Sequence, residues 1–459
     1  MARPQTHRRL ASGISLALGT YRQSFSPIAR FGIALIAAVV SFSARANTYI
    51  VNTNLDPGPD GTLSLRQAIV SANGADGNVI QFDNSLNGST ITLQQGTLSV
   101  TRGTDISANG QNITISGNDT SAIFALSGSP ASMEGLTLTK GRSGAGGAIR
   151  DAGALTLSNM LITSNRTTGS GASQALGGGG IFVHGGGSLL MSDSRVTGNN
   201  STGSGGAIHV TGFSTSAILI RCRIDLNTSS YYGGGIEVDS GASLTIEQST
   251  IDSNRSVHTG TVANGGGGGL AFFNDNEGGA AVVSNSTITN NYAITGGAGA
   301  AIFETDATGI DTFRFTTITS NRSGTAGDAG NGIIDSGGTA NLFASIVANN
   351  TDLDGTRGDL AGNFVANNSL ILTPGAAVLS GTGSVLGVDP QLGPFGDHGG
   401  STWTMVPAAG SPAIDAVTQS FAETTDQRGY MRPVGPAGDV GAVERQKVED
   451  IIFRDGFEF

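Results

Sequence analysis

The stretch that decides the fold covers residues 205–254 and reads GGAIHVTGFSTSAILIRCRIDLNTSSYYGGGIEVDSGASLTIEQSTIDSN. It contains one order of elements twice: paired glycines, a short apolar strand, an alternating strand, and an Ile followed three residues later by Asn. The glycine pairs begin at Gly205 and Gly234, and the two Asn are Asn227 and Asn254. Units this short cannot bury their own apolar face, so the pattern predicts a solenoid of stacked units.

The Ile-x-x-Asn element continues on both sides of this stretch. Successive Asn residues are separated by 34, 28, 27, 37, 30 and 28 residues, and glycine-rich loops at 167–178, 256–268 and 323–331 account for the variation. The seven pairs are Ile162/Asn165, Val196/Asn199, Ile224/Asn227, Ile251/Asn254, Ile288/Asn291, Ile318/Asn321 and Ile346/Asn349.

The repeat predicts a right-handed parallel β-helix in an all-β chain. Parallel stacking places equivalent residues about 4.8 Å apart, so Asn side chains at one corner can hydrogen-bond from coil to coil. We also expect these Asn to adopt the left-handed backbone conformation that a sharp corner needs, and the paired glycines to do the same at another corner. Ile, Leu, Val and Ala then face inward, while Thr, Ser, Asn and Asp face outward.

Composition excludes other architectures. The chain has 459 residues with 72 Gly, 12 Pro, 13% charged and 6% aromatic residues. Gly and Pro together stay below the share typical of unstructured low-complexity chains, and no every-third-Gly period indicates collagen. A propeller needs longer units with four strands and more aromatic residues, and a leucine-rich repeat needs a Leu-dense consensus that this sequence lacks.

Three stretches resemble known families. The strands at 146–149 and 205–208 are similar to the GGAI motif of polymorphic outer membrane proteins of the chlamydial type, which carry a pectin-lyase-like β-helix. Residues 49–117 resemble the CSLREA-type N-terminal domain of bacterial surface proteins, with Leu63 in place of the Cys and Gln67 in place of the Glu of that motif.

Residues 388–444 resemble the choice-of-anchor Q domain through DPQLGP at 389–394, HGGST at 398–402, SPAID at 411–415, TDQRG at 425–429 and DVGA at 439–442. The three resemblances imply an exported β-helix protein that is either surface-associated or secreted, in a group mostly without assigned chemistry.

The flanking segments have separate predicted roles. Residues 1–46 combine six Arg and no acid with an apolar run at 31–42 and a small-x-small end at 44–46, which indicates a signal peptide. The run is too short to span a bilayer as a helix, and no later segment could do so. Residues 47–130 are expected to hold an N-terminal cap and the first coils.

The N-terminal cap is predicted to be a short amphipathic helix in the segment that follows Ser64. Ser64 is an N-cap candidate, and Leu65, Ala68, Ile69 and Ala72 then share one helical face, which suits a lid over the first coil.

After the cap and the first coils, residues 131–387 are expected to form the β-helix repeats. Residues 388–444 are expected to close the other end of the coil. The tail at 445–459 is either a sorting or export signal or an unstructured end.

The net charge of the chain limits the kinds of partner that it can attract. The whole chain has a net charge of −11, and removal of the six Arg in residues 1–46 leaves 18 Lys and Arg against 35 Asp and Glu, or −17. Such acidity excludes nucleic acid and acidic polysaccharide as electrostatically steered partners.

The single Cys222 cannot form an intramolecular disulfide. It shares an alternating face with Ile218, Ile220 and Ile224, so it is predicted to be a buried small hydrophobic residue.

Outward acids near the repeated strands are the candidates for polysaccharide chemistry. Asp193, Asp225, Glu247 and Asp252 can align on one face across coils, either as a row for calcium or sugar or as a solvated polar face. Hydrolysis needs two carboxylates converging on the substrate, and lyase chemistry needs a cation and a base.

The NTDLDG stretch at 350–355 is similar to the start of polygalacturonase sites. It lacks the other motifs of that family, so it is interpreted as a turn.

Metal sites have no clear signature. His184, His209, His258 and His398 fall in different units without Cys partners or metal-ligand spacing, so we predict no zinc site. The DPGPDG loop at 56–61 is interpreted as a turn that binds calcium weakly at most, since it lacks the ligand alternation of an EF-hand.

We therefore expect no catalytic, cofactor-binding or metal-binding residues. The predicted protein is a monomeric, exported, non-catalytic structural or adhesive module at the surface of, or released by, a Gram-negative bacterium. It is expected to bind a polysaccharide or other cell-surface material. The alternative is a polysaccharide lyase or glycoside hydrolase on the same scaffold, because fold alone does not define function.

Overall fold

The computed structural model describes residues 46–169, 171, 176–259, 266–274, 278–304, 311–327 and 330–446. The signal peptide predicted at 1–46 and the tail at 445–459 lie almost entirely outside these residues. Within them the chain forms a right-handed parallel β-helix whose coils each contribute up to four strands. Equivalent strands stack into four columns, numbered here in the order in which they follow the paired glycines within one coil.

The first column follows the paired glycines. Its strands are Leu98–Val100, Phe124–Ser127, Ile149–Ala152, Ile181–Val183, Ile208–Thr211, Ile236–Asp239, Leu270–Asn274, Ala300–Glu304 and Ile333–Asp335.

In each coil that contains both, the strand of the second column begins two or more residues after the strand of the first column ends. Its strands are Thr48–Val51, Asn78–Phe82, Thr104–Ser107, Ala131–Glu134, Ala154–Ser158, Ser188–Ser192, Ser216–Ile220, Ser243–Glu247, Ala281–Ser284, Thr312–Arg314, Ala340–Phe343, Leu360–Asn367 and Ala376–Ser380. The Leu360–Asn367 strand pairs with both columns.

The third column carries the Ile of the repeat, and the fourth follows the Asn. The third consists of Thr90–Thr92, Ile113–Ser116, Leu136–Thr139, Leu161–Thr163, Arg195–Thr197, Arg223–Asp225, Thr250–Asp252, Thr287–Thr289, Thr317–Thr319, Ile346–Ala348, Leu370–Ile371 and Val385–Leu386. The fourth consists of Arg142–Ser143, Arg166–Thr167, Asn200–Ser201, Thr228–Ser229, Arg255–Ser256, Tyr292–Ala293 and Arg322–Ser323.

An asparagine ladder joins the coils at the corner between the third and fourth columns. Each Asn side chain donates through Nδ2 to Oδ1 of the Asn in the next coil, at 2.9–3.0 Å. The ladder confirms the predicted side-chain contacts and consists of Asn165, Asn199, Asn227, Asn254, Asn291, Asn321 and Asn350. It ends on Asp359, whose Oδ1 accepts from Asn350 Nδ2 at 2.8 Å.

Two details of the predicted ladder are wrong. The seventh pair is Val347/Asn350 and not Ile346/Asn349, because Val347 is the residue in register with Ile318. The left-handed conformation belongs to the residue before each ladder Asn, such as Ser253 (φ 57°) or Asn349 (φ 60°). The Asn itself is therefore selected for its side-chain amide and not for backbone freedom.

The paired glycines form the corner before the first column, as predicted. Gly205 has φ 59°, and a Cβ on Gly206 would lie 2.0 Å from the carbonyl oxygen of Gly234 in the next coil. In the Gly205–Gly206 pair the first glycine supplies the turn and the second allows the close approach of two backbones. In the next coil these two positions are Gly233 (φ 59°) and Gly234, one residue earlier than the predicted pair that begins at Gly234.

A serine ladder that was not predicted from the sequence occupies the corner between the second and third columns. Backbone N–H groups of one coil donate to Ser Oγ in the next, for example from Cys222 to Ser249 and from Ser249 to Ser286, both at 3.0 Å.

Cys222 is buried, as predicted, and burial raises the pKa of its thiol to about 12. Its predicted face is wrong, since Arg221 at φ 53° turns the chain and leaves Ile218 and Ile220 half-buried on the outside.

The N-terminal cap is present as predicted. The Leu65–Ala72 helix begins after Ser64, whose side chain and Gln67 form a reciprocal capping box. Leu65, Ala68, Ile69 and Ala72 are buried in the main core. No helix in the described part of the chain has the length and apolar character needed to cross a bilayer.

The region 388–444 occupies a different position from the end cap that was expected. It lies along the outside of the third column, where Gln427 Nε2 donates to Thr250 Oγ1 and Thr287 Oγ1 donates to Gln427 Oε1. The last strands of the coil remain exposed, with Val378 at 67% and Leu386 at 49%. Outward-facing Thr residues of the coil therefore bind this region sideways instead of leaving it to cover the open end.

Candidate functional site

A cleft of about 640 Å³ lies between the third column and the region 388–444. Three successive turns of the coil supply one wall, and the loop that carries Trp403 supplies the other. The lining residues are Asn159, Met160, Leu161, Asp193, Ser194, Arg195, Arg221, Arg223, Ser401, Thr402 and Trp403.

Stacking explains why charged residues converge here. Arg195 and Arg223 are both first residues of third-column strands and are in register, while Asp193 and Arg221 hold left-handed corner positions just before those strands. Residues about 28 positions apart in the sequence thus become neighbours one coil apart.

Each arginine of the cleft makes a forked contact with an aspartate. Arg195 binds Asp225, with Nε to Oδ1 at 2.8 Å, and Arg223 binds Asp252 at 2.8 and 3.0 Å. Arg221 binds Asp193 at 2.7 and 2.6 Å.

The pKa values of two of these groups are raised, for different reasons. The hydrogen bond to Asp225 raises the pKa of Arg195, and burial raises the pKa of Asp252 in spite of its contact with Arg223. Three cations and three anions meet at the cleft, which leaves little net charge there.

Trp403 gives the cleft an aromatic wall. The guanidinium carbon of Arg223 lies 4.0 Å from the Trp403 ring centre, and Phe395 packs edge-on against the indole at 5.6 Å. Even so, 41% of Trp403 stays exposed. An aromatic ring held between a cation and a second ring is a rigid platform with an apolar face and polar neighbours.

The structure brings together three of the four acids that the sequence singled out. Asp225 and Asp252 are in register on adjacent third-column strands, which confirms their predicted alignment. Asp193 lines the cleft, whereas Glu247 is the last residue of a second-column strand and does not line it. Asp225 and Asp252 are 0% and 2% exposed, so they are part of a buried ion-pair network and not of a solvated face.

The two loops interpreted as turns are turns. In the 350–355 stretch, Asp352 Oδ1 accepts from the backbone N–H of Asp354 and Thr356. In the 56–61 loop, the carboxylate of Asp56 accepts from Arg66 and from the backbone N–H of Gln94, and these contacts lower its pKa although burial raises it. Both carboxylates therefore have protein donors.

Contrary to the prediction from the sequence, His209 does have neighbours that could act as metal ligands. Its Nε2 lies 3.2 Å from Asp239 Oδ2 and 3.5 Å from Glu237 Oε2. This group has no signature in the sequence, because Glu237 and Asp239 lie 28 and 30 residues after His209 and only the stacking of adjacent strands places them side by side.

Burial affects the protonation of this group. Burial lowers the pKa of His209, but the nearby Glu237 and Asp239 carboxylates and the Leu176 backbone raise it overall. Burial raises the pKa of Glu237 to about 8.

The other histidines have separate neighbours. His184 accepts from Arg150 Nε at 3.0 Å, His258 packs 4.6 Å from Tyr232, and His398 Nε2 lies 2.9 Å from the Pro394 carbonyl oxygen. Neither they nor any other His, Cys, Asp or Glu outside His209, Glu237 and Asp239 form a metal-compatible group within the described residues.

Comparison with known proteins supports the architecture. A solved structure, pectate lyase Pel9A, aligns with a TM-score of 0.52 at 14% identity, covering 88% of this chain and 98% of that one. This likeness shows a shared fold. No curated protein matches the sequence. The family model described as a right handed beta helix region matches residues 96–352, which is more than half of the chain, and the protein therefore belongs to the right-handed β-helix family.

Proposed function

We propose that this protein is an exported, non-catalytic module that binds a neutral or weakly charged glycan in the Trp403 cleft. The observation that carries the proposal is the exposed Trp403 platform beside fixed guanidinium and carboxylate groups. Ligand sites typically combine apolar or aromatic walls with a few oriented polar groups. Sugar rings fit such a wall because they present C–H faces and a rim of hydroxyl groups.

Charge balance indicates the class of glycan. Arg195, Arg221 and Arg223 are each neutralised by an aspartate, and the chain as a whole is acidic. A polyanion would meet no excess positive charge in the cleft and a repulsive field around it. Neutral hydroxyl-rich chains are favoured, which separates this proposal from cleavage of acidic pectic polymers.

The same contacts favour binding over turnover. Hydrolysis requires a pair of carboxylates that reach the scissile bond, one of them protonated. Asp225 and Asp252 are buried behind their arginines, and both oxygens of Asp193 accept from Arg221. The acids nearest to a bound chain are therefore occupied in holding the arginines in place.

Export is supported by the sequence of residues 1–46. The arginine-rich start, the apolar run and the small-residue end are together typical of a signal peptide. N-terminal sequencing of the protein recovered from an exported fraction should begin at Asn47. Recovery of an intact leader would contradict this part of the proposal.

A glycan array combined with variants tests the binding function. Trp403→Ala should weaken binding of the best glycan at least tenfold, because the platform is lost. The matched control is Phe213→Ala, which removes an aromatic ring that is 74% exposed and does not line the cleft, and which should leave binding unchanged. Absence of saturable binding to any glycan would overturn the proposal.

The alternative, a polysaccharide lyase or glycoside hydrolase, predicts turnover. Reducing-end and unsaturated-product assays on the glycans bound in the array distinguish the two functions. Saturable binding without product supports the non-catalytic module, whereas product formation that Trp403→Ala reduces would establish the enzyme.

A further inference from the structure

A second cluster of polar side chains lies on the outward side of the first column, away from the Trp403 cleft. His209 and Glu237 are in register on adjacent strands, and Asp239 follows Glu237 by two residues on the same side of its strand. One potential ligand atom from each of the three lies within 4.8 Å of the others. The coil thus brings an imidazole nitrogen and two carboxylate oxygens to one point.

The cluster is buried. His209 is 0% exposed, Glu237 3% and Asp239 7%, and the backbone at Gly177 covers the ring, since a Cβ added there would lie 2.4 Å from His209 Nδ1. A polymer has no access to these side chains, so a substrate-contacting role does not fit.

The two carboxylates are incompletely satisfied. Neither Glu237 Oε2 nor Asp239 Oδ1 has a hydrogen-bond partner among the described residues. The ion pairs seen for these acids in the described chain are with His209 alone. A single imidazolium balances only one of two buried carboxylates, so the other needs a proton or a further cation, because uncompensated buried charge is costly.

A metal ion fits both the spacing and the missing charge. Ligands about 2.1 Å from a tetrahedral zinc ion lie about 3.4 Å from one another, and the nitrogen-to-oxygen distances here are 3.2 and 3.5 Å. A dication also balances two carboxylates with a neutral histidine. Calcium is disfavoured because it takes six to eight oxygen ligands, and imidazole favours first-row transition metals.

We propose that His209, Glu237 and Asp239 bind one first-row transition-metal dication, with Zn²⁺ as the best match, as a buried structural link between two coils. Its fourth position is left to water or main chain. The proposal is independent of glycan binding, because none of the three residues lines the Trp403 cleft.

Metal titration of the full protein without glycan tests the site. After treatment with a chelator, isothermal titration with Zn²⁺ should show one equivalent bound, and Zn²⁺ should raise the Tm. Co²⁺ in its place should give the visible absorbance of a low-symmetry site. Ca²⁺ at the same concentration should produce neither effect.

Variants locate the site. Glu237→Gln keeps the shape of the side chain and should lower Zn²⁺ affinity at least 100-fold, and Asp239→Asn provides the same test if the first variant folds poorly. His184→Gln is the matched control, because His184 directly follows the first-column strand Ile181–Val183 but pairs with Arg150. This variant should bind Zn²⁺ like the unmodified protein.

Three results would overturn the proposal: less than a tenth of an equivalent of bound metal, equal Zn²⁺ affinity in Glu237→Gln and the unmodified protein, or preference for Ca²⁺. Failure of the glycan array would leave the Zn²⁺ titration unaffected, so the two proposals fail separately.

Discussion

Buried acids on the two flanks of the coil differ in the partners that balance their charge. On the flank of the third column, covered by the region 388–444, the buried Asp225 and Asp252 each have an arginine partner. On the flank of the first column, Glu237 and Asp239 share a single histidine, and the carboxylate of Asp151 accepts only from the backbone N–H of Gly153 among the described residues. The same stacking of strands therefore either neutralises an acid within the chain or leaves it to a proton or a metal ion.

Removal of a buried cation from the covered flank should have the largest effect on stability. Arg432 and Glu444 have fully buried side chains, and Arg432 also donates to Gly441 and Asn285. Arg432→Ala leaves Glu444 buried without its partner, which should cost about 3–5 kcal/mol in the free energy of unfolding. Urea denaturation followed by Trp403 fluorescence measures the loss.

The double variant Arg432→Met with Glu444→Gln is the control for this experiment. It removes both charges and should lose less stability than Arg432→Ala. A single variant within 1 kcal/mol of the unmodified protein would show that the covered flank does not depend on this pair.

An uncompensated acid on the other flank should make stability depend on pH. Asp151 faces inward between Leu126 and Val183, and burial raises its pKa to about 7. The folded chain therefore holds this proton more tightly than the unfolded chain, whose Asp has a pKa of about 3.9. Stability from this group is full below pH 4 and is lost as pH rises to about 7.

Asp151→Asn removes this titration. The variant should match the unmodified protein near pH 4 and exceed it at pH 8 by up to about 4 kcal/mol, as measured by urea denaturation at both values. Asp83→Asn is the control of opposite sign, because hydrogen bonds from Ser85 lower the pKa of Asp83. A difference between Asp151→Asn and the unmodified protein that is equal at pH 4 and pH 8 would contradict the prediction.

An exposed ion pair that belongs to neither flank should contribute least to the stability of the fold. Arg166 and Asp119 are 3.2 Å apart, with about half of each side chain exposed. Arg166→Ala should change the free energy of unfolding by less than about 1 kcal/mol, and high salt should remove any difference. A larger loss would mean that burial is not what separates strong pairs from weak ones in this coil.

The repeat made the fold predictable from the sequence. Ile and Asn recur at fixed spacing because each coil needs an inward Ile and an amide at the same corner, and the glycines recur because two backbones approach closely there. The Leu65–Ala72 lid was also predictable, since its N-cap and apolar face are local features.

The predictions that were wrong concern features that depend on strand register or on long-range packing. The choice between Asn349 and Asn350 required knowing which residue pairs with Ile318. The face of Cys222 was misassigned because a left-handed Arg221 interrupts the alternation. The side-on position of the region 388–444 depends on Thr residues of the coil that look like ordinary outward positions in the sequence.

The candidate site was only partly predictable for the same reason. Outward acids were recognised and Asp225 does align with Asp252, but the arginines that bind them and the Trp403 wall come from other coils and from the distant C-terminal region. The His209 group was missed because neither Glu237 nor Asp239 carries a local signature.

The asparagine ladder gives the coil a direction of growth. Every amide in it donates toward the C-terminal side and accepts from the N-terminal side, so any Asn-bearing coil can be followed by another. Asp359 differs because its carboxylate accepts from Asn350 and from the backbone of Thr373 and has no N–H to pass on. It acts on the ladder as a chain terminator does in polymer chemistry, although the coil itself continues through the strands Leu360–Asn367 and Ala376–Ser380. Duplication of an Asn-bearing coil can therefore extend the ladder ahead of Asp359, but not behind it.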